Sequence, residues 1–81
     1  MQSAKVNAAR LREVREEREL TTTQVAALVS ADLGRKVHQS TISKYENGTR
    51  QPKASTFGAL CRVLRIERGE LLVPNDVEAI A

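Results

Sequence analysis

Apolar residues recur every three or four positions along most of the chain, whereas the alternating pattern typical of strands is nearly absent. In the segment VNAARLREVREERE, Leu11 and Val14 fall at this spacing, and Arg15 and Arg18 continue the same stripe. A stripe of this kind predicts an amphipathic helix, the first of the chain, which ends near Glu19. The period along the whole sequence therefore predicts an all-α fold.

The second predicted helix is marked by its start and stop signals. Thr21 is followed three residues later by Gln24, which is the spacing of a capping box, so the helix begins at about Thr22. Gly34 comes just after the last apolar position and is suited to a left-handed terminator. The predicted buried face of this helix contains Val25, Ala26, Val29 and Leu33.

A short third helix is predicted from Gln39 to Asn47, where the Asn47-Gly48 pair ends it. Ile42 and Tyr45 are its two large buried-type residues, and we expect both to point inward. The opposite face carries amide, hydroxyl and ammonium groups rather than the Glu-Lys pairs of a merely solvated helix. The predicted outward residues are Gln39, Ser40, Ser43 and Lys44.

Two further helices are predicted after Pro52, which fixes the start of the segment KASTFGALCRVLRI. The short segment RGELLV predicts a fifth helix, and the tail PNDVEAIA is compatible with either a frayed end or a further helical turn. The expected fold is a compact bundle of five short helices, in which the second and third form a helix-turn-helix arrangement. The core face of the fourth helix is predicted to contain Phe57, Leu60, Cys61 and Leu64.

Length and composition exclude several classes of site. A chain of 81 residues is one small domain whose apolar residues are needed for packing, so a roomy substrate pocket is not expected. The single Cys61 and the single His38 provide neither a disulfide nor a zinc cluster, and no metal or other cofactor is expected. No leader-like apolar region or long apolar run is present, so we expect a soluble, cytoplasmic protein.

The net charge is only +3, but its distribution is uneven. Between Gly34 and Lys53, five cations stand against one acid, which is a larger local excess than that of the whole chain. A local cationic stripe is what contact with a polyanion requires, although a solvated basic surface explains the charge equally well. The five cations are Arg35, Lys36, Lys44, Arg50 and Lys53, and the acid is Glu46.

Four sequence blocks resemble the Cro/C1-type (XRE) helix-turn-helix family of bacterial and phage repressors. In chain order they are LREVREERELTTTQVA, STISKYENGTRQP, LCRVL and GELL, and together they span about residues 8–73. The resemblance implies a lambda-repressor-like DNA-binding domain over residues 1–73. It leaves residues 74–81 as a C-terminal tail that is available for a dimer contact.

The resemblance also implies roles for individual residues. An Arg of the first helix pairs in the family with the Glu that ends the recognition helix, and here these are Arg15 and Glu46. Removing one partner of such a pair strands a buried charge, so we expect a structural ion pair. The four outward residues of the third helix correspond to base contacts in the family, since amide and ammonium groups suit the major-groove edges of bases. The residues that correspond to DNA backbone contacts are Thr22, Thr23, Asn47, Thr49 and Arg50.

Three positions depart from the family pattern. Thr22 stands where Gln is usual, so one phosphate contact is expected to be shorter or water-bridged. His38 stands where a Ser or Thr usually caps the third helix, which leaves either a weak cap or a contact with DNA. About four added residues in ALVSADLG lengthen the second helix by roughly one turn and keep its core face. The added residues Arg35 and Lys36 are then expected to contact DNA phosphates. The alternative is that they belong to a turn exposed only to solvent.

These observations favour a sequence-specific DNA-binding transcriptional regulator, a repressor that binds a two-fold-related operator as a homodimer. The alternative is a protein-binding module on the same fold, such as an antitoxin or coactivator; polar donors on the third helix favour DNA. An enzyme is not expected, because Cys61 has no base partner. Phage repressors, restriction-modification controllers and host regulators all share this pattern. The residues that could form a dimer or partner patch are Leu71, Leu72, Val73, Val77 and Ile80.

Overall fold

The computed structural model describes residues 5–72, and within this range the chain is helical. Its four α-helices are α1 (Ala8–Glu17), α2 (Thr22–Leu33), α3 (Gln39–Asn47) and α4 (Ala54–Leu64). Helix α2 packs against both α3 and α4, and α1 packs against α3. The all-α prediction is thus confirmed for the described part of the chain, where the sole strand-like feature is an isolated antiparallel bridge between Val6 and Leu72.

Helix α1 ends at Glu17, two residues before the predicted end. The cause is Glu19, which takes a left-handed conformation with φ of 58° and turns the chain toward α2. Arg18, which the sequence pattern assigned to the apolar stripe, instead donates from Nε to the carbonyl oxygen of Leu64 at 2.8 Å and from Nη2 to that of Arg65 at 3.3 Å. It therefore caps the C-terminus of α4 with a positive charge.

The signals that delimit α2 act as predicted. The Thr21 hydroxyl accepts from the Gln24 amide, and the Gln24 side chain accepts from the Thr21 amide, so the capping box is confirmed. Gly34 adopts the left-handed conformation with φ of 73° and ends the helix. Val25, Ala26 and Val29 are buried, as expected, whereas Leu33 is only half-buried. The inserted residues therefore extend α2 without a break.

The third predicted helix is confirmed at both ends, because α3 spans Gln39–Asn47 and Gly48 follows it with φ of 78°. His38 occupies the N-cap position, and its side chain makes no capping hydrogen bond. Ile42 is fully buried and Tyr45 is 5% exposed. These two side chains anchor α3 in the core, which also contains the predicted core residues of the other helices: Leu11, Val14, Phe57, Leu60, Cys61 and Leu64.

The prediction of a fifth helix is wrong in one respect, because the segment forms a 3-10 turn rather than an α-helix. Residues Arg68–Leu71 form a single 3-10 turn, and Leu72 is extended because it bridges Val6 near the start of the chain. Leu71 is fully buried, so it is not available for the dimer patch suggested by the sequence. The remaining residues proposed for that patch, apart from the half-buried Leu72, lie outside the described residues: Val73, Val77 and Ile80.

The residue after α4 is strained. Arg65 ends the helix in the left-handed conformation, with φ of 57° and ψ of 53°, a region that favours glycine because a Cβ crowds the carbonyl oxygen. Arg65→Gly is expected to raise the free energy of unfolding by about 1 kcal/mol. Urea denaturation measures this change. Arg65→Ala, which keeps the Cβ, is the control; an equal gain in both variants would assign the effect to the lost charge.

Candidate nucleic-acid interface

The outward face of α3 carries the polar side chains that the sequence indicated. Gln39, Ser40 and Lys44 are exposed, and Ser43 is half-buried. Because Ile42 and Tyr45 hold the opposite side of the helix in the core, these four side chains form one polar stripe on the surface. The stripe offers amide, hydroxyl and ammonium groups, which are the groups that read base edges in a major groove.

An ion pair joins α3 to α1. Arg15 Nε lies 2.6 Å from Glu46 Oε2, and Arg15 Nη2 lies 3.1 Å from Glu46 Oε1, so the contact is bidentate. Arg15 Nη1 also donates to the carbonyl oxygen of Leu20 at 2.8 Å. The hydrogen bond to Glu46 raises the pKa of Arg15, while burial acts in the opposite direction. The side chains are 13% and 6% exposed, so the pair fixes the last turn of α3 from within the protein.

A hydrogen bond connects the starts of α2 and α3. The Thr22 hydroxyl donates to Gln39 Oε1 at 3.1 Å, so the residue that replaces the family's usual Gln contacts the first residue of α3. With Oε1 held in this way, the Nε2 amide group of Gln39 is the end directed away from Thr22. The geometry orients Gln39 as a donor, which the sequence pattern did not reveal.

The residues expected to contact the DNA backbone differ in whether their side chains already form hydrogen bonds within the protein. The Thr49 hydroxyl donates to the carbonyl oxygen of Lys44 at 3.3 Å, and the Thr49 amide donates to the same oxygen at 3.0 Å. Thr49 therefore uses its hydroxyl proton to close the end of α3. The other residues expected at the DNA backbone are exposed: Thr23 in the first turn of α2, Asn47 at the end of α3, and Arg50 after it.

Hydrogen bonds connect the inserted turn between α2 and α3 to α2 on one side and to α4 on the other. Ser30 Oγ donates to the Ala26 carbonyl oxygen at 2.7 Å and accepts from the Val37 amide at 2.8 Å. Arg35 Nη2 donates to Thr56 Oγ1 at 3.3 Å, which links the turn to α4. Lys36 is exposed beside it. The Ser30 contact links positions seven apart through a side chain, and no local sequence signal indicates it.

A second cross-helix ion pair lies on the surface. Asp32, within the inserted stretch of α2, accepts from Arg62 Nη2 at 2.6 Å and from Arg62 Nε at 3.1 Å. The hydrogen bond from Arg62 lowers the pKa of Asp32. The pair links α2 to α4, but because both groups are exposed it is expected to add little stability.

Residues 5–72 contain no cluster of three potential metal ligands, and none of the helices in this range is long and apolar enough to cross a membrane. Cys61 is a buried free thiol. Burial raises its pKa, while the nearby Arg68 and Arg62 act in the opposite direction. A thiol in this setting packs rather than reacts.

The fold resembles part of a larger solved protein. The structure of hydroxypropylphosphonic acid epoxidase from S. wedmorenis matches with a TM-score of 0.71 and 23% sequence identity. The match covers 94% of this chain but 38% of the epoxidase chain, so at this identity the likeness concerns the fold of that portion. No curated protein matches the sequence significantly.

The sequence itself matches a protein family described as the helix-turn-helix domain. The matched region, residues 8–73, includes α1 to α4 and the 3-10 turn. DNA-binding helix-turn-helix domains typically place the second helix of the motif in the major groove of DNA. Since the match spans most of its length, the chain belongs to the helix-turn-helix domain family.

Proposed function

We propose that the protein is a sequence-specific transcriptional regulator of the Cro/C1 (XRE) type with a lambda-repressor-like fold. In this proposal it acts as a repressor in the cytoplasm and reads an operator with α3. The observation that carries the proposal is the outward polar stripe of Gln39, Ser40, Ser43 and Lys44, on a helix that Ile42 and the Arg15–Glu46 pair anchor to the core. A rigid support is what sequence readout needs, because base contacts depend on fixed side-chain positions.

A homodimer is part of the same proposal. One recognition helix contacts only a few base pairs, which is too little to distinguish an operator from the many competing genomic sites. Two copies on a two-fold-related operator double the readout. Leu71 is excluded from the dimer contact by its burial.

We further propose that this domain binds and does not catalyse. Support comes from the buried thiol of Cys61 and from the outward face of α3, which is built of hydrogen-bonding groups. A protein-binding module would be expected to expose large apolar side chains on α3 instead. The activity of the epoxidase, which has a similarly folded portion, gives no argument for activity here.

Selection of bound duplexes from a random DNA pool tests the proposed function. The expected result is a two-fold-symmetric consensus that the wild type enriches and a Gln39→Ala, Lys44→Ala double variant does not. Enrichment of an asymmetric site would remove the homodimer from the proposal. Failure to enrich any sequence would contradict sequence-specific binding.

Thr22→Val is expected to change base preference without unfolding the protein. The variant removes the hydroxyl that holds Gln39 Oε1, so the carboxamide becomes free to rotate and to offer its oxygen to a base. Preference at the base pair read by Gln39 is expected to relax by about 1 kcal/mol, the scale of a single hydrogen bond. Isotherms on duplexes that differ at that base pair measure the effect. Thr23→Val on the neighbouring exposed position is the control, and equal relaxation in both would contradict the positioning role of Thr22.

A further inference from the structure

A mostly apolar recess, the α2–α4 recess, lies on the protein surface between these two helices. Its volume is about 350 Å³, and it is lined by Leu28, Ala31, Asp32, Arg62 and Val63. Leu28 is 45% exposed, and in residues 5–72 it is the one large apolar side chain that is neither buried nor half-buried. Ala31 is also exposed, and Val63 is half-buried. Apolar surface rimmed by charged groups, as here, is typical of an interaction site.

The inserted stretch of α2 supplies most of this surface. Leu28, Ala31 and Asp32 belong to the segment ALVSADLG, which contains the added turn. The added turn extends the inner face of α2 through Val29 and Leu33, and a helix that faced only solvent would be expected to carry polar residues on its outer side. The outer side instead presents Leu28 and Ala31, so the insertion enlarges an apolar outer surface as well as the core.

The recess lies on the flank of α2 that is turned away from α3. Ala27 and Ser30, each one residue before a lining residue of the recess, border a separate pocket together with Gln39 at the start of α3. Because successive residues of a helix point about 100° apart, Leu28 and Ala31 are turned toward α4 instead. The recess is therefore separate from the base-reading stripe of α3.

The rim of the recess carries one acid and one base, so its charges balance. Arg62 binds Asp32 of its own chain through Nε and Nη2, and its Nη1 makes no hydrogen bond within the described residues. All three hydrogen bonds to the Asp32 carboxylate come from this one guanidinium, so at least one of its roughly four acceptor positions is open. Both side chains of the pair can therefore make a further contact.

A surface with this charge distribution is complementary to a rotated copy of itself. In a two-fold contact the same patch is used on both sides, so Arg62 of one copy meets Asp32 of the second copy, and the reciprocal contact forms at the same time. The apolar side chains then meet at the centre with the charges around them, which is the usual arrangement of a protein interface. A strongly acidic or strongly basic partner would instead oppose one of the two charges with a like charge.

We propose that a second copy of this chain docks on the α2–α4 recess, in a two-fold contact where Leu28 and Val63 pack at the centre and Arg62 pairs with Asp32 between the copies. The proposal rests on the homodimer proposed above, and it assigns the dimer interface to described residues rather than to the C-terminal tail. A contact there leaves the α3 stripe of each copy exposed for one half of a two-fold-related operator.

Two charge reversals test this contact in solution without DNA. Asp32→Lys leaves two cations at the rim of each copy and Arg62→Glu leaves two anions, so each variant alone is expected to dimerise at least about tenfold more weakly than the wild type. When the two variants are mixed, every contact across the two-fold axis again joins a cation to an anion. A heterodimer with about the affinity of the wild-type dimer is therefore expected. Sedimentation equilibrium over a range of protein concentrations measures these association constants.

Control variants separate the recess from the rest of the surface. Glu16→Lys and Arg12→Glu reverse the charges of an exposed pair on α1, and we expect no change in association from either variant or from their mixture. Leu28→Ser removes the apolar centre and is expected to weaken dimerisation by about tenfold, because two leucines leave the interface. Ala27→Ser, on the flank of α2 that faces α3, is expected to dimerise as the wild type does.

The proposal is overturned if either reversal at the recess dimerises as tightly as the wild type, or if the mixture associates no better than the single variants. A wild type that stays monomeric also overturns it, and favours a different protein as the occupant of the recess. Because these measurements contain no DNA, their failure is distinct from failure of the regulator function, which operator binding by the wild type tests separately.

Discussion

Glu46→Ala is expected to lower the free energy of unfolding by about 3–5 kcal/mol, the range measured when one partner of a buried ion pair is removed. The reason is that Arg15, only 13% exposed, would keep its charge without the two carboxylate contacts at 2.6 and 3.1 Å. Its remaining contacts are the Leu20 carbonyl oxygen, which carries no charge, and the exposed carboxylate of Glu16 at 4.0 Å, which compensates the guanidinium only in part. For a domain of this size, whose total stability is of the order of 5–15 kcal/mol, the loss is expected to be visible as a large drop in melting temperature.

Two control variants separate a stranded charge from the loss of a contact. Glu13→Ala breaks an exposed ion pair with Arg10 and is expected to cost at most about 1 kcal/mol. The double variant Arg15→Met, Glu46→Leu removes both charges together, and its stability is expected to exceed that of Glu46→Ala. Equal melting temperatures for Glu46→Ala and Glu13→Ala would contradict a structural role for the pair.

Local signals were sufficient to predict most helix boundaries. The capping box of Thr21 and Gln24 and the glycines Gly34 and Gly48 act over one helical turn, so their consequences can be read from neighbouring residues. The exact bounds of α3 follow from such signals. The same locality explains the error at the end of the chain, where RGELLV has a helical pattern but Leu72 is drawn into a bridge with distant Val6.

Side chains that bridge distant elements could not be predicted in the same way. Arg18 continues a helical stripe in the sequence, yet its guanidinium reaches the end of α4 because α1 and α4 meet only in the folded state. Ser30 looks like an ordinary polar residue of an exposed helix face, and its contact with Val37 depends on the path of the inserted turn. Such contacts depend on the tertiary fold, which periodicity and caps do not specify.

The candidate site also contains some features that local sequence signals predict and others that depend on the tertiary fold. The polar stripe on α3 was predictable because the helical period decides which residues share a face, and the Arg15–Glu46 pair followed from the family pattern. The orientation of Gln39 by Thr22 was not predictable, because it requires the relative positions of two separate helices.

Gln39→Ala and Lys44→Ala are each expected to weaken binding to the preferred operator by about 1–3 kcal/mol while leaving binding to scrambled DNA nearly unchanged. Both side chains are exposed on the outward face of α3, so their removal leaves the core contacts of Ile42 intact. Their loss removes donors to base edges, and base edges differ between the two duplexes. Binding isotherms on operator and scrambled duplexes at fixed salt measure the difference.

Arg50→Ala is the matched comparison for these two variants, because it also removes an exposed polar side chain near α3. Arg50 follows the helix rather than belonging to its stripe, and a phosphate contact is independent of sequence. Its loss is expected to weaken binding to both duplexes equally and to flatten the dependence of log K on log salt by about 0.9. If the Gln39 and Lys44 variants instead lose affinity equally on both duplexes, α3 contributes only electrostatic attraction. If the wild type binds neither duplex, the result contradicts sequence-specific DNA binding and favours the alternative of a protein-binding module.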